Sequence, residues 1–172
     1  TFQSAVTGVA TASSYQAKSV TSSLTDKVAV SAGNAALVGS YSIDVSTLAA
    51  AQSYSTNAAF AASTTTVGTG TLTIQDGSST TNISLGASNN TLAGIASAIN
   101  NSDANATASI INDGVNGYRL IISASKTGTA NALTISTDDD DGGDTDASGL
   151  SQLSAAQLTT EISAANASFD IN

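Results

Sequence analysis

The hydrophobic pattern of residues 66–135 changes period twice, and few architectures satisfy that constraint. Residues 71–74 and 82–85 alternate apolar and polar side chains, so each reads as a strand with one buried face. Between them Asp76, Gly77, Ser78 and Ser79 supply a polar turn, Asp-Gly being a strong hairpin signal. From Asn90 onward Leu92, Ile95, Ala96 and Ile99 recur at helical spacing. Asn90 is suited to cap the first turn, and Asn100 or Asn101 to take a left-handed end. Alternation returns at 106–111, turns at Asn112-Asp113-Gly114 and resumes at 118–123. The order is ββαββ, with one helix expected to cover one sheet face.

The rest of the chain is weaker in signal. Phe2, Val6 and Val9 suggest the end of a short helix over 1–16, too short to be stable alone. Residues 19–30 and 39–48 read as strands, while 49–65, rich in Ala, Ser and Thr, allow only a weak helical or irregular reading. Leu150, Leu153, Leu158 and Ile162 suggest one or two short helices, and 168–171 a final strand. The fold class expected is α+β, mostly β.

Composition limits the interior and excludes several functions. Aromatics are 4% of the 172 residues, and Trp, Met, Pro and Cys are absent. The core must therefore be Val, Ile, Leu and Ala in thin layers of modest stability. Without His or Cys the chain has no Ser-His-Asp or Cys-His nucleophile system and none of the usual zinc ligands. A net charge of -9, with only Lys18, Lys27, Arg119 and Lys126 positive, argues against binding nucleic acid. No apolar run is long enough for a membrane helix. The lack of cysteine favours a reducing compartment or an export route that carries unfolded chains.

The helix end Ala98-Ile99-Asn100, followed by Asn112-Asp113-Gly114 and Gly117-Tyr118-Arg119-Leu120, resembles the flagellin/hook IN motif, named for its Ile-Asn pair. Residues 39–52, GSYSIDVSTLAAAQ, are similar to the GSYSIEVxQLAxAQ segment of the flagellar hook-associated protein 2 family, the filament caps. The opening, 2–16, and the tail, 164–172, are similar as well. The resemblance implies a structural, non-enzymatic component of the bacterial flagellum, located outside the cell at the filament tip. Its partners would be flagellin subunits and other copies of itself in a ring-shaped cap, and its role would be to promote flagellin insertion. It also implies an outermost domain inserted into the next one inward. The expected division is a helical or linker segment at 1–18, an inner β-rich domain at 19–66 plus 150–172, an inserted outer domain at 67–137 and an acidic linker at 138–149. The outer domain would protrude as a lobe from a base containing residues 41–48. The family's long heptad-bearing terminal helices have no counterpart here, so the chain is expected to be a fragment, mainly the outer domains, that does not form a ring alone. The alternatives are the variable outer domain of a flagellin, or an adhesion module meeting host mucus or surface glycans.

Individual residues offer little chemistry, and no catalytic, cofactor or metal residue is expected. Asp138, Asp140, Asp144 and Asp146 provide oxygen ligands in a glycine-containing loop, but Asp139, Asp141 and Gly142 do not fall into the EF-hand register, which favours a solvated linker extended by charge repulsion. Asp44 and Asp113 are isolated acids; the first fits the solvent face of a strand and the second a turn before Gly114. Val67-Gly68-Thr69-Gly70 lacks the helix and Lys of a phosphate loop and reads as a junction turn. Tyr41 and Tyr118 are expected to pack their rings inward. Arg119, on the strand face opposite Tyr118 and Leu120, is expected in a salt bridge, with a subunit contact as the rival.

Overall fold

A computed structural model describes residues 18–144 and 146–172, so the helix expected over 1–16 lies outside the described residues. The chain divides into two compact units, one running up to Ser42 and including Asn172, the other Ile43–Ile171.

In the first unit the described residues are irregular apart from short turns. The N–H groups of Lys27 and Val28 both donate to the Leu24 carbonyl, at 3.0 and 2.8 Å, and Ala36 N–H donates to Gly33 at 3.0 Å. The strand expected over 19–30 is absent, because alternation makes a strand only where another strand is aligned to receive its backbone groups.

The second unit runs β1 (Ile43–Thr47), β2 (Ser53–Thr56), β3 (Gly70–Asp76), β4 (Ser79–Leu85), α1 (Leu92–Asn100), β5 (Ala106–Asn112), β6 (Tyr118–Ala124), β7 (Leu133–Asp139), β8 (Leu158–Ile162) and β9 (Ser168–Ile171). The expected helices after Leu150 are two short 3-10 turns, Gly149–Leu153 and Ala155–Gln157, and Leu158 begins a strand instead. All the strands pair antiparallel, in three sheets: β1-β9, β5-β6-β2-β8 and β4-β3-β7.

The first hairpin forms where alternation and Asp-Gly placed it. β3 and β4 pair from Gly70↔Leu85 to Asp76↔Ser79, leaving Gly77 and Ser78 as the loop. Gly77 has φ +53, and a Cβ there would sit 2.6 Å from the Ala130 carbonyl oxygen, so conformation and space both require glycine. The helix also forms where its period predicts, burying Leu92, Ile95, Ala96 and Ile99. Its caps differ from expectation. Thr91, not Asn90, accepts from the Gly94 N–H at 3.1 Å, and Asn101 ends the helix in right-handed geometry. Asn90 instead uses its carbonyl to accept from Val67 N–H at 2.8 Å.

The two hairpins of the ββαββ unit do not share one sheet. β3-β4 continues to β7, whereas β5-β6 continues to β2 and β8. α1 touches the edge strand of each sheet, β5 and β4, so it closes one side of a core that the two sheets share. Leu72 and Ile74 of β3, Leu120 and Ile122 of β6 and Ile95 and Ile99 of α1 are nearly inaccessible to solvent within that one cluster. Burial of each Leu or Ile side chain of this kind contributes about 1.5–3 kcal/mol.

Strand pairing also moves the expected domain boundaries. β2 and β8, assigned from the sequence to an inner domain, are hydrogen-bonded neighbours of β6's sheet, and Phe60, Leu150, Leu153 and Leu158 lie in the same core as Leu72. The core therefore draws on residues well outside 67–137. The part kept out of this core is the β1-β9 ribbon, where every residue of both strands is exposed. The chain segments at Gly68 and Gly149 lie against each other: a Cβ on Gly68 would collide with the backbone of Gly149 and Leu150.

Candidate functional site

The described residues of the acidic segment are hydrogen-bonded into the fold and do not run as a free, extended linker. Asp138 and Asp139 belong to β7, and Asp139 is buried. Its Oδ2 accepts from Ser151 N–H at 2.9 Å and its Oδ1 from Asp141 N–H at 3.3 Å. Asp144 Oδ1 accepts from Asp139 N–H at 2.9 Å. Asp146 Oδ1 accepts from the hydroxyl and N–H of Ser148, both at 3.0 Å, and from the Ser151 hydroxyl at 2.6 Å. The Ser151 hydroxyl is the largest of the contacts that hold the Asp146 carboxyl below its ordinary value. The carboxylates of Asp139 and Asp146 thus bind Ser151 in the 3-10 turn at Gly149–Leu153, and that of Asp144 binds the backbone of Asp139. Among the described residues there is no group of three or more acidic side chains placed to hold a metal ion.

The Ile-Asn pair that ends α1 has a structural use that periodicity does not reveal. Ile99 is fully buried. The side-chain amide of Asn100 donates through Nδ2 to the Ala108 carbonyl and accepts through Oδ1 from the Ala108 N–H, both at 2.8 Å. Asn100 therefore occupies the outer edge of β5 as a neighbouring strand would.

Gln52 and Tyr54 act similarly on β7. Gln52 Oε1 accepts from Leu133 N–H at 2.7 Å, Tyr54 donates its hydroxyl to the Leu133 carbonyl at 3.1 Å, and Gln52 Nε2 donates to the Tyr54 hydroxyl at 2.7 Å. Since β2 lies in the other sheet, these two side chains tie the sheets together. Sequence reasoning found Gln52 only as part of a family-like segment, and nothing in its local pattern marks a partner 81 positions away.

Arg119 makes no salt bridge among the described residues. Its Nη1 donates to the carbonyls of Thr56 and Asn57, both at 2.6 Å, capping the end of β2. Among the described residues the ion pair present is Lys27–Asp26, at 3.3 Å and well exposed. Arg119 is half-buried beside carbonyl dipoles, which satisfy its Nη1 donors without a carboxylate.

The remaining candidates are structural or exposed. Asp44 lies in register with Asp170 across the β1-β9 ribbon. Asp113 closes the β5-β6 turn: Oδ1 accepts from the N–H groups of Val115, Asn116 and Gly117 at 3.1, 2.6 and 3.2 Å, and Oδ2 from Asn116 Nδ2 at 2.9 Å. The Asn116 side-chain contact is the largest of those holding its carboxyl below the ordinary value. Tyr118 packs against the core, as expected, but Tyr41 is 67% exposed. A cleft of about 240 Å³ beside β7, lined by Ile135, Ser136, Thr137, Asp144, Ser154, Ala155 and Ala156, is smaller than the usual ligand pocket.

Among the described residues, the polar side chains of Asn100, Gln52, Tyr54, Arg119 and Asp113 close sheet edges and turns. Comparison with known proteins gives the family. Residues 1–52 match the family model described as "Flagellar hook-associated protein 2 N-terminus". The chain is 38% identical, over its whole length, to flagellar hook-associated protein 2 of Escherichia coli (strain K12), and 35% identical over 88% of its length to the B-type flagellar hook-associated protein 2 of Pseudomonas aeruginosa. It spans 37% and 32% of those two proteins. Among solved structures it is similar to the D2-D3 domains of the E. coli flagellar cap protein FliD, with a TM-score of 0.70, 34% identity and coverage of 83% of this chain and 75% of that one. It is also similar to FliD of P. aeruginosa PAO1, with a TM-score of 0.67, 31% identity and coverage of 80% and 65%. The chain belongs to the flagellar hook-associated protein 2 family, the flagellar cap proteins.

Proposed function

We propose that this chain forms the outer domains of a filament cap, a ring of identical subunits outside the cell at the tip of the flagellum that promotes insertion of exported flagellin. The observation that carries this reading is identity of 38% sustained over the whole chain, together with a shared fold over most of it. The molecule suits a passive part. Asn100, Gln52, Tyr54 and Arg119 spend their polar atoms on neighbouring backbone or on one another, which stiffens the lobe. The net charge of -9 lies on an exterior with few cations, favouring solubility and weak, electrostatically selected contacts with flagellin.

The test is a chimera. In an E. coli strain lacking its cap protein, the segment matched by this chain is replaced with it inside the full-length protein. Restored filaments and swimming support the reading. A chimera that is exported and folded but leaves flagellin unassembled in the medium would count decisively against it.

A further inference from the structure

We propose that Asn116–Gly117 is a deamidation site whose rate is held down by the carboxylate of Asp113. It is the one Asn-Gly dipeptide in the sequence, and asparagine before glycine is the most labile arrangement because no side chain shields the following nitrogen. The fold has little freedom to avoid it. Gly117 has φ +103, and a Cβ there would lie 2.6 Å from the Phe60 carbonyl oxygen, so position 117 must be glycine. Position 116 is exposed, and its amide supplies Nδ2–H to Asp113 Oδ2 at 2.9 Å.

In the reaction the Gly117 nitrogen forms a bond to Asn116 Cγ, the Cγ–Nδ2 bond breaks, and the amide takes up the displaced backbone proton to leave as ammonia. Water then opens the five-membered imide at either carbonyl, giving aspartate or isoaspartate at 116. No oxidant or reductant is needed. Both nitrogens involved, Gly117 N and Asn116 Nδ2, are held by the same carboxylate, at 3.2 and 2.9 Å. While these bonds persist, the nucleophile's N–H is aimed at Asp113 and the amide cannot rotate to present Cγ. The bridge between Phe60 and Tyr118, with two bonds of 2.8 Å, fixes the next residue as well. Once formed, the product does not fit. A carboxylate at 116 loses the Nδ2–H donor and faces Asp113 with like charge, and isoaspartate adds a methylene to the main chain beside that bridge. Conversion therefore loosens the β5-β6 tip and marks aged molecules.

The experiment follows conversion of Asn116 in the purified chain by peptide mapping and mass spectrometry at mildly alkaline pH. It compares folded wild type, wild type in urea, folded Asp113→Ala and folded Asp113→Ser, with circular dichroism reporting the fold. Folded wild type is expected to react on the order of tenfold more slowly than either the urea sample or Asp113→Ala, the effect of losing a charge-assisted hydrogen bond on a local opening. Asp113→Ser, whose hydroxyl can accept one of the N–H groups, is expected in between. Equal rates for folded and urea-treated wild type would overturn the proposal. So would a folded Asp113→Ala that reacts no faster than wild type, the outcome if the carboxylate served instead as the base that activates Gly117.

Discussion

Asn100 and Ala108 form a closed pair of hydrogen bonds, each at 2.8 Å, in which a helix-end side chain imitates a strand. β5 is an edge strand, and an open edge invites pairing with other chains. Asn100 occupies part of that edge while Ile99, one residue earlier, anchors the helix in the core. Replacing Asn100 with Ala removes both bonds and should cost about 1–2 kcal/mol in urea denaturation. Asn101→Ala should be nearly neutral, since its cap bonds use the backbone N–H. Equal losses for the two variants would contradict this division of labour.

Ile99 itself tests the core. Ile99→Ala should lower stability by about 2–5 kcal/mol, as expected for emptying a fully buried aliphatic site. A loss below about 1 kcal/mol would mean that α1 is not part of the shared core.

Arg119 binds neutral carbonyls, so its contribution should resist salt. Arg119→Ala is expected to destabilise by about 1–2 kcal/mol, discounted for its half-buried position, with little change in that difference between low and high ionic strength. A difference that vanishes in salt would instead indicate an ion pair.

Asp113 and Asp146 should titrate below 3.8 in the folded chain, chiefly because of Asn116 for the first and Ser151 for the second. Their folded values are depressed, so the stability they add is complete above the unfolded carboxylate value and is lost as pH falls through the folded one. NMR titration of the side-chain carboxyl carbons measures this directly. Midpoints at or above 3.8 would contradict the observed donor sets.

Asp44 and Asp170 face one another in register across the β1-β9 ribbon, a like-charge pair that opposes the pairing. Asp170→Lys should stabilise the ribbon by a few tenths of a kcal/mol, read as slower amide exchange at Asp44. Faster exchange in the variant would show that repulsion across this pair is not felt.

The strand β2 was missed for a physical reason. β2, Ser-Tyr-Ser-Thr, lies between β6 and β8 with Ser53, Ser55 and Thr56 buried, although hydrophobic alternation is what marks a half-buried strand. Its hydroxyls are satisfied instead by Ser123, by Glu161 and by the backbone of Ala58 and Leu120. Hydrogen bonding there does what apolar side chains do elsewhere, and no hydropathy pattern records it. The acidic run misled for a related reason: charge repulsion predicts extension, but Ser148, Ser151 and nearby backbone N–H groups supply enough donors to fold the loop.

Order along the chain settled the two hairpins, the helix between them, the four residues that helix buries and the family resemblance, because each depends on spacing between near neighbours. The choice of sheet for each hairpin, the recruitment of β2 and β8, and the partners of Asn100, Gln52 and Arg119 were decided by the tertiary structure. Those choices rest on backbone N–H and C=O groups that nearly every residue carries alike, so only their meeting in space shows which will pair.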